Sequence, residues 1–446
     1  MGGMKPLLAM AFLVCVSFLA AAPRPNVVFF LIDDLGYADC GFQGGTDIKT
    51  PHIDQLATTG AILENHYVQP VCSPTRASLM TGRYVTHTGV YTIVRPHAKW
   101  GLPLGERTLA NALQEAGYTT AITGKWHLGE FEHAYKPTSR GFDHQHGHYF
   151  GAIDYFTHER DGTHDWYHDD KELKEEGYST HLITQEALRL IEAQPRDKPL
   201  FLYMPYNGIH SPHQVPDKYV EPYAALSGSR QKLAGMLAAV DESIGQVVAA
   251  LEKKGLRENT MILFSADNGG PPPGKNTPLR GFKGSLFEGG VRAAAFANWP
   301  GKIPAGQRIT QPMHIIDWYP TLVKLAGGTL EQKLPLDGCD VWPMITEKAS
   351  SPHEVILSAQ SRDKAAVRMG DWKLIVSHGT PNKDEAPRKK AKAKKKFHQD
   401  EPVMLFNLAE DPSETTNLAT KEPERLAVMK AKLMELLKDA VPSGVE

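Results

Sequence analysis

Two pairs of hard oxygen donors each follow directly on a long apolar run: Asp33-Asp34 after NVVFFLI (Asn26–Ile32), and Asp267-Asn268 after MILFSA (residues 261–266). Either pair alone reads as a turn or a helix cap. Together they put three carboxylates and an amide where strands should end. Crowded carboxylates repel one another unless a cation neutralises them, and an all-oxygen donor set suits calcium or magnesium rather than zinc. In the same way TTAIT (residues 119–123) runs into Gly124-Lys125-Trp126-His127, and PLFLYM (residues 199–204) runs towards Asn207 and His210. A lone lysine is ordinarily solvated, and His127 and His210 are two of 19 histidines. Only their place after apolar runs singles them out, and Trp126 reads as packing.

A second feature is the stretch VCSPTR (residues 71–76). Ser73 as a cap, Pro74 at the first helical position and Gly82 past the end predict a helix with Cys72 at its N-terminus. Such an end favours anions through its free backbone N–H groups and its dipole. Arg76, one turn in, adds a fixed positive charge able to face the carboxylates. By type alone the cysteine reads as a small buried apolar residue.

The elements that must position these groups alternate. Apolar β-rich runs are separated by helical patterns: residues 109–116 ending at Gly117, residues 180–193 behind a Ser/Thr cap signal, and a long helix with Leu233, Leu237, Val240, Ile244, Val248 and Leu251 on one face, stopping at Gly255. This predicts an α/β fold around a largely parallel sheet. Ligands of such sheets bind at the carboxyl ends of the strands, so the four strand ends are expected to share one edge. After Ser350 the composition shifts. WKLIV (residues 372–376) and VMLFNL (residues 403–408) predict a small sheet, and Leu426, Met429, Leu433 and Leu436 a terminal amphipathic helix. Between these strands PRKKAKAKKK (residues 387–396) reads as a solvated loop, with polyanion binding as the sharper alternative.

With 446 residues, 41% hydrophobic, 22% charged and a formal net charge of −2, the chain has the profile of a soluble globular protein, with no basic excess for nucleic acid. Its N-terminus carries Lys5, an apolar stretch from Leu7 to Leu19 and the small residues Ala20-Ala21-Ala22, the pattern of a cleaved export signal. That stretch is short for a spanning helix of about 20 residues, and Val14 ahead of Cys15 argues against lipidation, so no stable membrane insertion is expected. The expected organisation is a signal peptide over residues 1–22, a catalytic domain over 23–349 and a small α+β subdomain over 350–446. Cys40, Cys72 and Cys339 then remain, an odd number for an oxidising compartment. At least one is unpaired or no longer a thiol, and Cys40 and Cys339 are either free or paired.

CSPTRASLMTGR (residues 72–83) resembles the signature of type I sulfatases, whose motif cysteine is converted to formylglycine by a maturation enzyme. LIDDLGYADCGF, TPHIDQLA, GYTTAITGKWHLG, DNGG, PLRGFKGSLFEGGVR, DWYPTLVKLAG and LFNLAEDPSETTNL are similar to that family as well, covering residues 26–345 strongly and the C-terminal region loosely. The resemblance implies an alkaline-phosphatase-like fold, with a large mixed sheet between helices plus a smaller C-terminal antiparallel sheet and a terminal helix. It implies a calcium ion held by Asp33, Asp34, Asp267, Asn268 and the modified Cys72, whose hydrated aldehyde attacks sulfur. It further implies that Arg76 and Lys125 stabilise that group and the bound sulfate, that Lys283 and His210 neutralise sulfate oxygens with one of them protonating the leaving oxygen, and that His127 takes the proton that releases sulfate. DYFTHERDG (154–162), YMPYNGIHSPHQVPDKYVEPY (203–223) and LDGCDVW (336–342) are similar to the N-acetylgalactosamine-4-sulfatase, or arylsulfatase B, subgroup. That implies a 4-sulfated N-acetylgalactosamine of chondroitin or dermatan sulfate as substrate. TIVRPHAKWGLP (92–103) lacks the cysteines of the animal enzymes, and the basic insertion is foreign to the pattern. Another sulfated polysaccharide, a phosphate ester on the same scaffold, and a catalytically silent glycan-binding role for the basic loop stay open as alternatives, as does oligomeric state.

Overall fold

A computed structural model describes residues 24–377 and 401–445. The expected signal peptide, Cys15 and the basic stretch at 388–396 lie outside the described residues. The centre of the fold is a ten-stranded sheet in the order Gln307–Ile309, Ala61–Leu63, Ala295–Asn298, Thr260–Ala266, Asn26–Ile32, Leu200–Tyr206, Thr119–Lys125, His144–His148, Tyr167–His168 and Lys171–Glu172. The five strands from Thr260–Ala266 to His144–His148 run parallel. Antiparallel partners join on either side, Ala295–Asn298 at one and Tyr167–His168 at the other. The sheet is therefore mixed, with a parallel centre.

The central strands are apolar on both faces because both faces are covered. Every residue of Asn26–Ile32, Leu200–Tyr206 and Thr260–Ala266 is buried, which is how a continuous Val/Ile/Leu/Phe run is accommodated. One group of helices contains Pro51–Thr58, Ser179–Ala193 and the long Gly228–Lys254; the other contains Cys72–Thr81, Leu109–Glu115 and Trp318–Leu325. Register then sets the site. Ile32 pairs with both Tyr206 and Ala266, so three strands end level, and the Asp267 N–H continues the ladder onto the Ile32 carbonyl at 3.1 Å.

Two helix starts differ from the expected caps. Cys72–Thr81 begins at Cys72 itself behind an extended Val71 with no side-chain cap, and Pro74 is its third residue. Ser73 is drawn elsewhere: its Oγ donates to the His127 carbonyl at 2.8 Å and accepts from the Val94 N–H at 3.0 Å. Ser179–Ala193 likewise follows Tyr178 without a side-chain cap. The stops hold, with Gly82 at φ 66° and Gly255 at φ 73°. Cys40, Cys72 and Cys339 are all free thiols.

The C-terminal region is a four-stranded antiparallel sheet, Ile356–Ser361, Lys364–Met369, Trp372–Ser377 and Val403–Asn407, with helix Pro423–Leu437. Its first two strands, ILSAQS and KAAVRM, are too short of large apolar residues to stand out in the sequence. One face of the sheet (Leu357, Ala359, Val367, Leu374, Leu405) packs with Met429 and Leu433 of the helix. The other (Ile356, Ala366, Ile375, Met404, Phe406) packs with Leu286, Phe287 and Val291.

Gly124, next to Lys125, has φ 134°, and a Cβ there would lie 2.2 Å from the Pro205 carbonyl oxygen of the neighbouring strand. Gly124→Ala is expected to cost more than about 1 kcal/mol, read as a lowered denaturation midpoint, and to reduce activity by displacing Lys125.

Candidate active site

The residues expected at the strand ends converge, except Asn207, whose amide is turned to Ser179 and donates to its Oγ at 3.1 Å. Asp33 and Asp34 leave the central strand, Asp267 and Asn268 the strand on one side, and Lys125 ends the strand two places to the other. Cys72 enters from the helix above them, its Sγ 3.4 Å from Asp33 Oδ1. Lys125 Nζ contacts Asp33 Oδ2. Arg76 Nη2 lies 3.4 Å from Asp33 Oδ2 and 2.9 Å from Asp267 Oδ2, and its Nη1 donates to the Lys125 carbonyl at 2.9 Å. Lys283 Nζ reaches Asp34 Oδ1 at 2.6 Å, and His210 Nε2 lies 3.5 Å from Asp34 Oδ2 at the more open side. Asp34 takes a left-handed φ of 63°, rare for a residue with a side chain, and its N–H donates to Asp267 Oδ1 at 3.2 Å.

One atom each of Asp33, Asp34, Cys72 and His210 can be chosen so that all lie within 4.8 Å of one another. Asp267 falls outside that group; one of its oxygens is held by Arg76 and the other by the Asp34 backbone. The Asn268 amide N–H donates to Asp34 Oδ1 at 2.8 Å, while its Oδ1 is buried with no hydrogen-bond partner. A buried carbonyl oxygen without a donor costs free energy, and a hard cation beside the carboxylates would supply the missing partner. The donor set therefore fits such an ion.

Charge makes the same point. Two unit charges 4 Å apart interact by about 4 kcal/mol at an effective dielectric of 20, so three buried carboxylates need counter-charges. Arg76, Lys125 and Lys283 provide them. Burial opposes ionisation of Asp33, but Lys125, His210, Arg76 and Lys283 hold its carboxyl well below the usual range. Asp267 is pushed up to about 6 by burial and by the neighbouring Asp33 carboxylate. The Cys72 thiol is pushed far up, by burial first and then by Asp267 and Asp33. As a thiol it stays protonated at neutral pH, and only the thiolate is a nucleophile.

His127 is buried at φ 60°. Its Nε2 lies 3.0 Å from the Val94 carbonyl, which only accepts, so Nε2 carries the hydrogen and Nδ1 the lone pair. Nδ1 is buried and unpartnered, and burial, Lys125 and Arg76 keep the ring neutral. Val94 thus ties the 92–103 segment to both Ser73 and His127, a link with no sequence signal. His148 is a further site residue that the strand-end pattern does not single out. It pairs in register with Lys125, is fully buried, bonds the Phe150 carbonyl through Nδ1 at 3.0 Å and leaves Nε2 unpartnered; the histidine-dense run HQHGH was its signal. Trp126 is packing, its Nε1 donating to the Tyr135 carbonyl at 2.9 Å.

A mixed sheet with a parallel centre, carrying carboxylates, ammonium groups and a motif cysteine at its strand ends, defines a hydrolase of alkaline-phosphatase-like architecture. Residues 25–328 match the family model described as sulfatase, and residues 351–443 the one described as the C-terminal region of aryl-sulfatase. The chain belongs to the sulfatase family and is a sulfuric ester hydrolase. It is 36% identical to arylsulfatase J of Mus musculus, across 95% of this chain and 77% of that one. It is 31% identical to N-acetylgalactosamine-6-sulfatase of Mus musculus, across 91% of this chain and 84% of that one. Among solved structures, Ps i-CgsB in complex with k-i-k-neocarrahexaose superposes with a TM-score of 0.84 at 33% identity, covering 94% of each chain.

Arg76 is fully buried between two carboxylates, so Arg76→Met leaves Asp267 without its ion-pair partner and Asp33 with Lys125 alone. The variant is expected to lose about 3–5 kcal/mol in denaturant unfolding, and added divalent cation should recover part of the loss.

Proposed function

We propose that this sulfatase removes a sulfate ester from a sulfated carbohydrate, working with Cys72 converted to formylglycine and with calcium held by Asp33, Asp34, Asp267, Asn268 and the modified residue 72. The observation that carries the reading is Cys72: a thiol held protonated among carboxylates is inert as it stands, yet it occupies the centre of the charged cluster. Formylglycine supplies an oxygen nucleophile and the cation supplies Lewis acidity towards it and towards the sulfate. The remaining work falls to the chain's own side chains. With three carboxylates matched by Arg76, Lys125 and Lys283, a bound dication leaves the centre net positive, which suits a sulfate monoester anion.

Lys125 and Lys283 hold charge on the sulfate oxygens, and Arg76 keeps Asp33 and Asp267 in place beneath them. Burial disfavours the Lys283 ammonium, but the carboxylates Asp34, Asp33 and Asp267 act against this and hold its pKa up; it keeps its proton and acts as a charge. Burial lowers His210, opposed by Asp34 and Asp33, and an imidazolium gives up a proton more readily than the Lys283 ammonium, so we assign His210 to the leaving alcohol oxygen. His127, with Nε2–H fixed by Val94, offers Nδ1 as the base that takes the proton when sulfate is released. The similarity to the N-acetylgalactosamine-4-sulfatase subgroup supports a 4-sulfated N-acetylgalactosamine of chondroitin or dermatan sulfate as substrate. The N-terminal pattern supports export to the periplasm or the exterior.

Matured protein, with an aldehyde in place of the thiol at residue 72 by peptide mass spectrometry, is expected to release sulfate from a 4-sulfated N-acetylgalactosamine saccharide. It should leave 6-sulfated and carrageenan saccharides largely intact and be far slower on aryl phosphate than on aryl sulfate. Sulfate release from a different member of the panel would reassign the sugar; release of phosphate alone would reject the chemistry.

Assignment of the acid has its own test. An aryl sulfate leaves without protonation and a sugar alcohol does not, so His210→Ala should lose about 10²–10⁴-fold on the saccharide and much less on the aryl ester, whereas Lys283→Ala should lose on both. Equal losses for His210→Ala on the two substrates would assign the proton elsewhere.

A further inference from the structure

Lys283 differs from the other charged residues of the site in what holds it. Asp33, Asp34, Lys125 and Asp267 end or directly follow central strands, whereas residues 278–287 form a loop outside both sheets. On one side the Gly284 N–H donates to the Pro70 carbonyl at 2.7 Å, two residues before Cys72. On the other, Gln360 of the C-terminal sheet donates from Nε2 to the Gly284 carbonyl at 2.5 Å. Leu286 and Phe287 pack on the same sheet.

Beneath the loop is a buried ionic cluster. The short helix Glu288–Val291 ends the loop, and the Glu288 N–H donates to Glu414 Oε2 at 2.6 Å. Lys373 Nζ is ion-paired with Glu288 Oε1 at 2.8 Å and with Glu414 Oε1 at 2.9 Å, all three side chains being inaccessible to solvent. Tyr67 OH donates to Glu288 Oε2 at 2.7 Å, and Arg368 Nη1 donates to Tyr67 OH at 2.5 Å. Arg280 Nη1 donates to the Glu414 carbonyl at 2.5 Å, and Ser413 Oγ to that of Pro278 at 2.7 Å. Glu414 itself is held at φ 52°, a left-handed conformation that persists only where the surroundings impose it. A well-packed apolar cluster would stabilise such a place as well or better. What directional charged contacts add is a fixed position for the loop.

We propose that Glu414, Lys373 and Gln360, all from the C-terminal region, are positioning residues that hold the 278–287 loop so that Lys283 meets the sulfate group. The proposal rests on the reading of Lys283 as a sulfate contact. Its test compares Glu414→Gln and Gln360→Ala, each alone and combined with Lys283→Ala, in the full-length matured protein. Three quantities are read: kcat and KM on a sulfate ester, the dissociation constant of inorganic sulfate by calorimetry, and folding by circular dichroism. Glu414→Gln is expected to lower kcat/KM by about 10- to 100-fold, the usual effect of removing an outer partner. It should weaken sulfate binding in parallel, with Gln360→Ala showing a smaller loss in the same sense. In the Lys283→Ala background both should cost nothing further. A full loss from either variant in that background overturns the proposal, as does unchanged sulfate affinity in both single variants. Should Glu414→Gln fail to fold, Gln360→Ala, at a half-buried position, decides alone. Unchanged sulfate affinity in Lys283→Ala itself would instead remove the reading of Lys283, and the proposal with it.

Discussion

Everything in the site depends on the burial of three carboxylates at the level ends of adjacent parallel strands. Asp33, Asp34 and Asp267 are almost inaccessible to water, and at these separations their repulsion is several times thermal energy. Arg76, Lys125 and Lys283 relieve it from three directions: from the helix that begins at Cys72, from the end of the strand two places from the central one, and from a loop outside the sheet. In the proposed reading two of these cations, Lys125 and Lys283, would also face the sulfate. On that reading, charges that make the carboxylates tolerable are also ones that receive sulfate, and stability and chemistry are hard to separate here.

The same cluster explains why a cysteine at residue 72 has little to offer as a cysteine. Among carboxylates, and away from water, its thiolate is disfavoured twice over. A position that suppresses the one reactive form of a side chain makes sense when the chain uses that side chain as a precursor. The neighbouring Asn268, with one buried amide atom satisfied and the other not, points to a missing partner in the same few ångströms.

The C-terminal region is more than an appendage. Its sheet uses one face for its own helix and the other for the loop that carries Lys283, so a region that begins at Ile356, well beyond Lys283 in the chain, helps to place a charge at the strand ends. Leu286, Phe287 and Val291 supply the apolar part of that contact, and the Glu288, Lys373 and Glu414 cluster supplies its direction.

The central strands were legible in the sequence because a strand buried on both faces must be continuously apolar, and the residues just past its end must turn at the sheet edge. That made Asp33, Asp34, Lys125, His127, His210, Asp267 and Asn268 visible as one set; the helix start at VCSPTR drew out Cys72 and Arg76, and motif resemblance gave these two their roles and added Lys283. The weaker strands at 356–361 and 364–369 were not legible, since small residues facing a helix carry no strong alternation. Nor were the roles of Ser73, whose hydroxyl bridges two backbone segments instead of capping its helix, of His148, or of Val94, which acts through a carbonyl that every residue possesses. Sequence by itself determined which groups end the strands, because hydrophobicity is a local property of the chain. Which charge neutralises which, which imidazole nitrogen is free, and what holds Lys283 were decided only by tertiary structure, because those depend on distances between residues that the chain brings together only by folding.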